Sequence, residues 1–115
     1  MTKNRIFALL SLFALCSISG CSRHTTVFIK VVMKKYEIQP AVIAVKSGDT
    51  VDLELSTLDV QHGFDIPQLS IHVPVPKGKT TIFSFKAPDK GEYQIKCGVI
   101  CGPHHDDMQA KLVVE

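Results

Sequence analysis

Beyond residue 22 the sequence has no helical periodicity of useful length, which argues against an α-helical domain. Basic residues never run longer than Lys34-Lys35 and form no stripe, so nucleic acid is not an expected partner. There are no internal repeats and no low-complexity tracts. The chain has no Trp and only four Cys, at positions 16, 21, 97 and 101. At 115 residues the chain allows one domain, and its first residues are not part of that fold.

Met1-Thr2-Lys3-Asn4-Arg5 precedes an uncharged run from Ile6 to Gly20. A short basic segment, an apolar stretch and small residues before a cut site make a secretory signal, assigned to residues 1–20. Ile18-Ser19-Gly20-Cys21 resembles a bacterial lipobox, in which Cys21 becomes the lipidated first residue of the mature chain. Residues 21–26 then form the lipidated Cys and a short tether, and residues 27–115 the domain. An uncleaved anchor is the competing reading, since a spanning helix needs about 17–25 apolar residues. Either way the domain is exported and membrane-tethered on the periplasmic, extracytoplasmic side. The formal charge of +2 comes from 13 basic and 11 acidic residues. Lys3 and Arg5 leave with the signal, so the mature chain is neutral.

The rest reads as strands. Val27 to Lys34 is β-like, and Met33 sits among its apolar neighbours as a core residue. Val42-Ile43-Ala44-Val45 ends at a Ser47-Gly48-Asp49 turn. In Val51-Asp52-Leu53-Glu54-Leu55 the apolar residues alternate inward and the acids outward. Leu69, Ile71 and Val73 share one face, leaving His72 on the solvent side. Phe83 and Phe85 are expected to be buried. Tyr93, Ile95 and Cys97 share an inward face, as do Met108, Ala110, Leu112 and Val114. Roughly seven short strands with regularly spaced turns predict an antiparallel β-sandwich.

The chemistry concentrates in Cys97-Gly98-Val99-Ile100-Cys101-Gly102-Pro103-His104-His105-Asp106-Asp107-Met108, spaced Cys-x3-Cys-x3-His-x2-Met. Thiolate and thioether are soft donors and imidazole is borderline, a set that selects copper over magnesium, calcium or manganese. Two sulfurs four residues apart can bridge two metal ions, each completed by an imidazole. His105 lies in the same loop and His62 upstream, followed by Gly63 where a backbone has to pass close. Met108 supplies a weak axial thioether, and the Val99 backbone carbonyl is placed as the remaining weak donor. His104 is expected beside the metal edge, exposed. Such a site leaves no open position for substrate, which suits electron transfer.

Other readings use the same residues differently. A mononuclear blue-copper site on His62, Cys101, His105 and Met108 leaves Cys97 idle. Tetrahedral zinc on Cys97, Cys101, His62 and His105 leaves Met108 unexplained. A copper carrier or sensor without electron transfer needs ligand exchange. A lone Cys97–Cys101 disulfide closes only a small loop.

The pattern Asp59-Val60-x-His62-Gly63-Phe64, then Gly91-Glu92-Tyr93, then Cys97-x3-Cys101-Gly102-x-x-His105-x-x-Met108 resembles the soluble domain of cytochrome c oxidase subunit II. It is also similar to the C-terminal domain of nitrous oxide reductase. The resemblance covers about residues 36 to 115. It implies a cupredoxin-like antiparallel Greek-key β-sandwich with a dinuclear copper A (CuA) centre of two copper ions. The implied ligands are His62, Cys97, Cys101, His105, Met108 and the Val99 carbonyl. Val99 stands where many such subunits carry Glu, and the carbonyl ligand is independent of that side chain. Many subunits also use an aromatic cluster with Trp for electron entry, for which Phe64 is the stand-in here. The implied role is relaying electrons in a respiratory chain, with a redox protein such as cytochrome c and a haem-copper oxidase catalytic subunit as partners. The resemblance implies a domain that is not catalytic alone, an electron-entry subunit of a cytochrome c oxidase.

Overall fold

The computed structural model describes Gly20 and residues 23–115. The rest of the leader and Cys21 lie outside the described residues. Nine strands form two sheets, with no α-helix among the described residues. They are β1 (Thr26–Lys34), β2 (Glu37–Gln39), β3 (Val42–Val45), β4 (Thr50–Thr57), β5 (His62–Ile66), β6 (Ile71–Val75), β7 (Thr81–Lys86), β8 (Gly91–Lys96) and β9 (Gln109–Val114). One sheet has the order β2-β1-β4-β7 and the other β3-β9-β8-β5-β6.

Alternation of apolar and polar residues turns one face of each strand into the space between the sheets. Val51, Leu53 and Leu55 of β4 are buried, while Asp52 and Glu54 are half-exposed on the other face. Val31 and Met33 of β1, Phe64 and Ile66 of β5, Ile95 of β8 and Leu112 of β9 complete the centre of the core. No buried side-chain nitrogen or oxygen among the described residues lacks a hydrogen-bond partner.

Two pairings are parallel rather than antiparallel. β1 runs beside β4 from Thr26↔Thr50 to Met33↔Thr57, and β3 beside β9 from Val42↔Lys111 to Val45↔Val114. The chain leaves the first sheet after β2, passes Pro40-Ala41 into β3 of the second sheet, and returns through the Lys46–Asp49 turn. β4 therefore re-enters in the direction of β1. A period of two is the same in either direction, so alternation alone does not carry this information.

Phe83 and Phe85 are half-buried, short of the full burial expected. β7 is the edge strand of its sheet, so the rings are covered from one side, and they stack on each other with centroids 6.2 Å apart.

The sandwich has two poles. At one, the Thr25 backbone N–H donates to the buried Asp49 carboxylate (3.1 Å), and the Gly48 and Ser47 N–H groups bond Ala87 O and Glu115 O (both 3.0 Å). Gly48 takes φ +83°, and the His24 imidazole lies where a side chain would project, 2.4 Å from an ideal Cβ. The other pole carries the Lys35-Tyr36 turn, the Leu58–Gln61 segment and the loop between β8 and β9.

Candidate metal centre

The centre is built from one loop and one strand end. β8 delivers Cys97 on its inward face, and the Cys97 N–H donates to Met108 O (3.2 Å), closing the loop at its base. Inside the loop a 3-10 turn over His105–Asp107 aims His105 and Met108 back at the cysteines. His62 opens β5 and is completely buried. Its Gly63 neighbour has the function the sequence suggested: a Cβ there would stand 3.0 Å from the backbone N of both Gly98 and Val99. The Gly63 N–H also points at Cys97 Sγ (3.5 Å).

All six predicted donors meet. Cys97 Sγ and Cys101 Sγ are 3.8 Å apart and both cysteines are free. His62 Nδ1 is 3.8 Å from Cys97 Sγ, and His105 Nδ1 is 4.0 Å from Cys101 Sγ. Val99 O lies 3.1 Å from Cys97 Sγ, and Met108 Sδ 3.9 Å from Cys101 Sγ. The donor atoms of His62, Cys97 and Cys101 all fall within 4.8 Å of one another. A first-row metal sits about 2.0–2.1 Å from imidazole nitrogen and about 2.3 Å from thiolate sulfur, so neighbouring donors on one ion are no more than about 4.4 Å apart. The nitrogen–sulfur spacings meet that condition. The residues fit copper in donor chemistry and in spacing.

Hydrogen bonding and burial set the state of these donors. His62 turns its Nε2 to Asp59 Oδ1 at 2.7 Å, which leaves Nδ1 facing the sulfurs. Burial works against ionising Asp59, but the backbone N–H groups of Lys35 (2.7 Å) and Val60 (2.6 Å), with the His62 ring, hold its carboxyl well below the usual carboxylate range. Burial, reinforced by the neighbouring Cys97, pushes the Cys101 thiol up to about 11. A hollow of about 520 Å³ lies elsewhere, among Gln68, Gln94 and Gln109.

The other candidates separate cleanly. His104 is exposed, its ring edge-on to Tyr36 (centroids 5.3 Å apart), and is not among the converging donors. His72 is exposed and pairs with Asp65 at 2.6 Å. Met33 is a core residue. Phe64 is 0% exposed, because the β5 alternation that buries His62 also turns Phe64 inward; it is not a surface aromatic. Sequence reasoning gave no role to Asp59, although a carboxylate three residues before a ligating His is the available signal. Tyr36 was also missed: its hydroxyl lies 2.4 Å from where a Gly102 Cβ would stand, so it covers the backbone beside Cys101.

Comparison with known proteins agrees with this architecture. The family of cupredoxin-like domains matches residues 5–114. Cytochrome c oxidase subunit 2 of Thermus thermophilus is 37% identical over 79 residues, covering 67% of this chain and 57% of that protein. Among solved structures, a haem-copper terminal oxidase dimer aligns with TM-score 0.69 and 24% identity over 76% of this chain and 64% of the other. The periplasmic domain of cytochrome oxidase subunit II of Bradyrhizobium japonicum also aligns with TM-score 0.69, at 19% identity over 76% and 83%. This chain thus spans little more than half the length of its Thermus relative. With a two-sheet sandwich and a match over nearly its full length, the chain belongs to the cupredoxin-like domain family.

Proposed function

We propose that the protein is an electron carrier whose His62, Cys97, Cys101, His105, Met108 and Val99 carbonyl hold two copper ions as a CuA centre. The observation that carries this reading is the pairing of donors around the two sulfurs. Each cysteine has its own imidazole nitrogen and its own weak donor: His62 and Val99 O for Cys97, His105 and Met108 for Cys101. A mononuclear blue-copper site would use one cysteine and leave the other set without a purpose. When bound, copper supplies a one-electron couple. The protein side chains fix the donors before and after transfer: Asp59 orients His62, the Cys97–Met108 backbone bond locks the loop, and Gly63 lets the two backbones approach.

Cytochrome c oxidase subunit 2 relatives support a place in respiratory electron transfer, with cytochrome c as donor and a haem-copper oxidase subunit as acceptor. Secretion through a cleaved signal of residues 1–20, with lipid on Cys21, places the domain at the extracytoplasmic membrane surface. The protein relays electrons and catalyses nothing alone.

The test is copper stoichiometry with visible and EPR spectra of copper-loaded protein. Two coppers per chain, a purple colour and one unpaired electron shared by both nuclei establish the centre. One copper per chain with a blue, single-nucleus signal overturns it.

A further inference from the structure

The two imidazoles of the centre are held by different means. His62 is buried, and the Asp59 carboxylate fixes its ring from behind at 2.7 Å. The one carboxylate within reach of His105 Nε2 among the described residues is that of the exposed Asp106, 3.8 Å away and too far for a hydrogen bond. The backbone that carries the His105 ring therefore decides where the ring stands. That backbone is a single 3-10 turn, His105–Asp107, and such turns have poorer hydrogen-bond geometry than an α-helix. From outside the turn, Gln109 Nε2 donates to the Asp106 carbonyl at 3.0 Å. Gln109 opens β9, so this bond ties the turn to the sheet.

Neighbouring groups enforce the direction of that grip. A backbone carbonyl only accepts, so the Gln109 amide turns its NH2 group to Asp106 and its oxygen away. On the oxygen side Gln94 Nε2, from β8, donates to Gln109 Oε1 at 3.0 Å. The backbone N–H of Gln94 in turn donates to Gln68 Oε1 at 2.8 Å, because β5 pairs with β8 only at Asp65↔Lys96. Three glutamines thus form one line along the 520 Å³ hollow, from the 3-10 turn Pro67–Leu69 to the turn that carries His105. All three are exposed, so water competes for each bond and the buried core does not depend on them. A second hollow of about 230 Å³, lined by Lys96, Cys97, His105, Asp106 and Gln109, lies on the metal side of the line. It gives the His105 ring room to shift once the grip is released.

We infer that Gln109, oriented by Gln94, is the positioning residue for His105, doing through the backbone of the turn what Asp59 does for His62 through the ring. This role rests on the copper reading above and deepens it. The two imidazoles that complete the centre have unequal supports, a buried carboxylate contact on one side and an exposed amide line on the other.

Four variants of the full chain test it. Gln109→Leu removes the grip and Gln94→Leu removes only what orients it, neither changing the charge. Gln94→Lys restores an N–H donor opposite Gln109 Oε1. Glu92→Gln is the control, since Glu92 lines the same hollow but pairs with Lys111 outside the line. In competition titration with copper, Gln109→Leu is expected to bind about twofold to tenfold more weakly, the range that one lost hydrogen bond gives. Gln94→Leu should lose less, Gln94→Lys should recover, and Glu92→Gln should match wild type. The EPR hyperfine pattern of Gln109→Leu should change with the affinity. In copper-free, isotope-labelled protein, NMR should show the His105 ring signals moving in both Leu variants while those of His62 stay. Those signals are read without metal, so they decide the role of Gln109 even if wild type binds one copper and the dinuclear reading falls. Unmoved His105 signals, equal movement of the His62 signals, or easier unfolding with unchanged copper affinity and spectrum overturns the positioning role. So does an effect of Glu92→Gln as large as that of Gln94→Leu. If Gln109→Leu does not fold, Gln94→Leu and Gln94→Lys, at an exposed position outside the metal loop, decide it alone.

Discussion

Asp59 Oδ1 and His62 Nε2 stand 2.7 Å apart, and this contact decides which ring nitrogen His62 offers to the sulfurs. A carboxylate behind a ligating imidazole fixes the ring's tautomer and orientation and raises its basicity. Asp59→Asn keeps the shape and removes the charge. Copper affinity is expected to fall about tenfold to a hundredfold, the usual cost of losing such a partner. Competition titration against a chelator measures it, and an unchanged affinity would show that Asp59 only caps the Lys35 and Val60 N–H groups.

Gly63 is where two backbones cross. A Cβ there meets backbone atoms of Gly98 and Val99 at 3.0 Å, and neither can rotate away as a flexible side chain would. Gly63→Ala should therefore push the cysteine loop outward, at a stability cost of about 1–3 kcal/mol. Chemical denaturation gives the cost, and the visible spectrum of the copper-loaded variant should shift as the Val99 carbonyl moves.

Phe64 and Phe28 make a matched pair for testing what the aromatic residues do. Phe64 is fully enclosed, and Phe28 is 80% exposed. Phe64→Ala is expected to cost about 3–5 kcal/mol in unfolding free energy, whereas Phe28→Ala should fall within about 0.5 kcal/mol of wild type. If Phe64→Ala left stability intact and slowed only electron exchange, its assignment to the core would fail.

Copper loading should depend on pH in a definite direction. With its thiol pushed up to about 11, Cys101 is protonated throughout the neutral range, so binding as thiolate must expel that proton. Apparent affinity should rise with pH between about 6 and 9, by about tenfold per unit for each proton released. Calorimetric titration in buffers of different ionisation enthalpy counts those protons; a count of zero contradicts thiolate ligation.

Much of this fold is written in short-range alternation. Val51, Leu53 and Leu55 face inward because a strand repeats every second residue, and that reading needs no knowledge of neighbours. Strand direction and edge position are different in kind. They are set by where the chain crosses between sheets, so the parallel β1–β4 pair and the half-covered Phe83 were not legible. At the centre, spacing singled out the Cys97–Met108 loop because four donors fall within one loop and share one geometric problem. His62 was legible through its motif. Asp59 was part of the same motif, yet its role emerges only when the turn after β4 brings its carboxylate against the back of the His62 ring. Phe64 shows a different limit: the resemblance pointed to it for electron entry, and its complete burial emerges only from the packing of its own strand.

The bond from Cys97 N–H to Met108 O has a consequence for how such a protein can change. Because the loop is tied off at its own base, its twelve residues form a detachable cassette on a β8–β9 hairpin whose register is held from Gly91↔Val114 to Lys96↔Gln109. Cys97, Cys101 and Met108 of this cassette belong to the buried core, so the positions free to vary are those on its exposed side, Ile100, His104, Asp106 and Asp107. His62, on separate β5, remains as a constant socket for whatever loop is presented to it. The exposed tip of one hairpin can thus diverge while the register that holds its base, from Gly91↔Val114 to Lys96↔Gln109, stays the same.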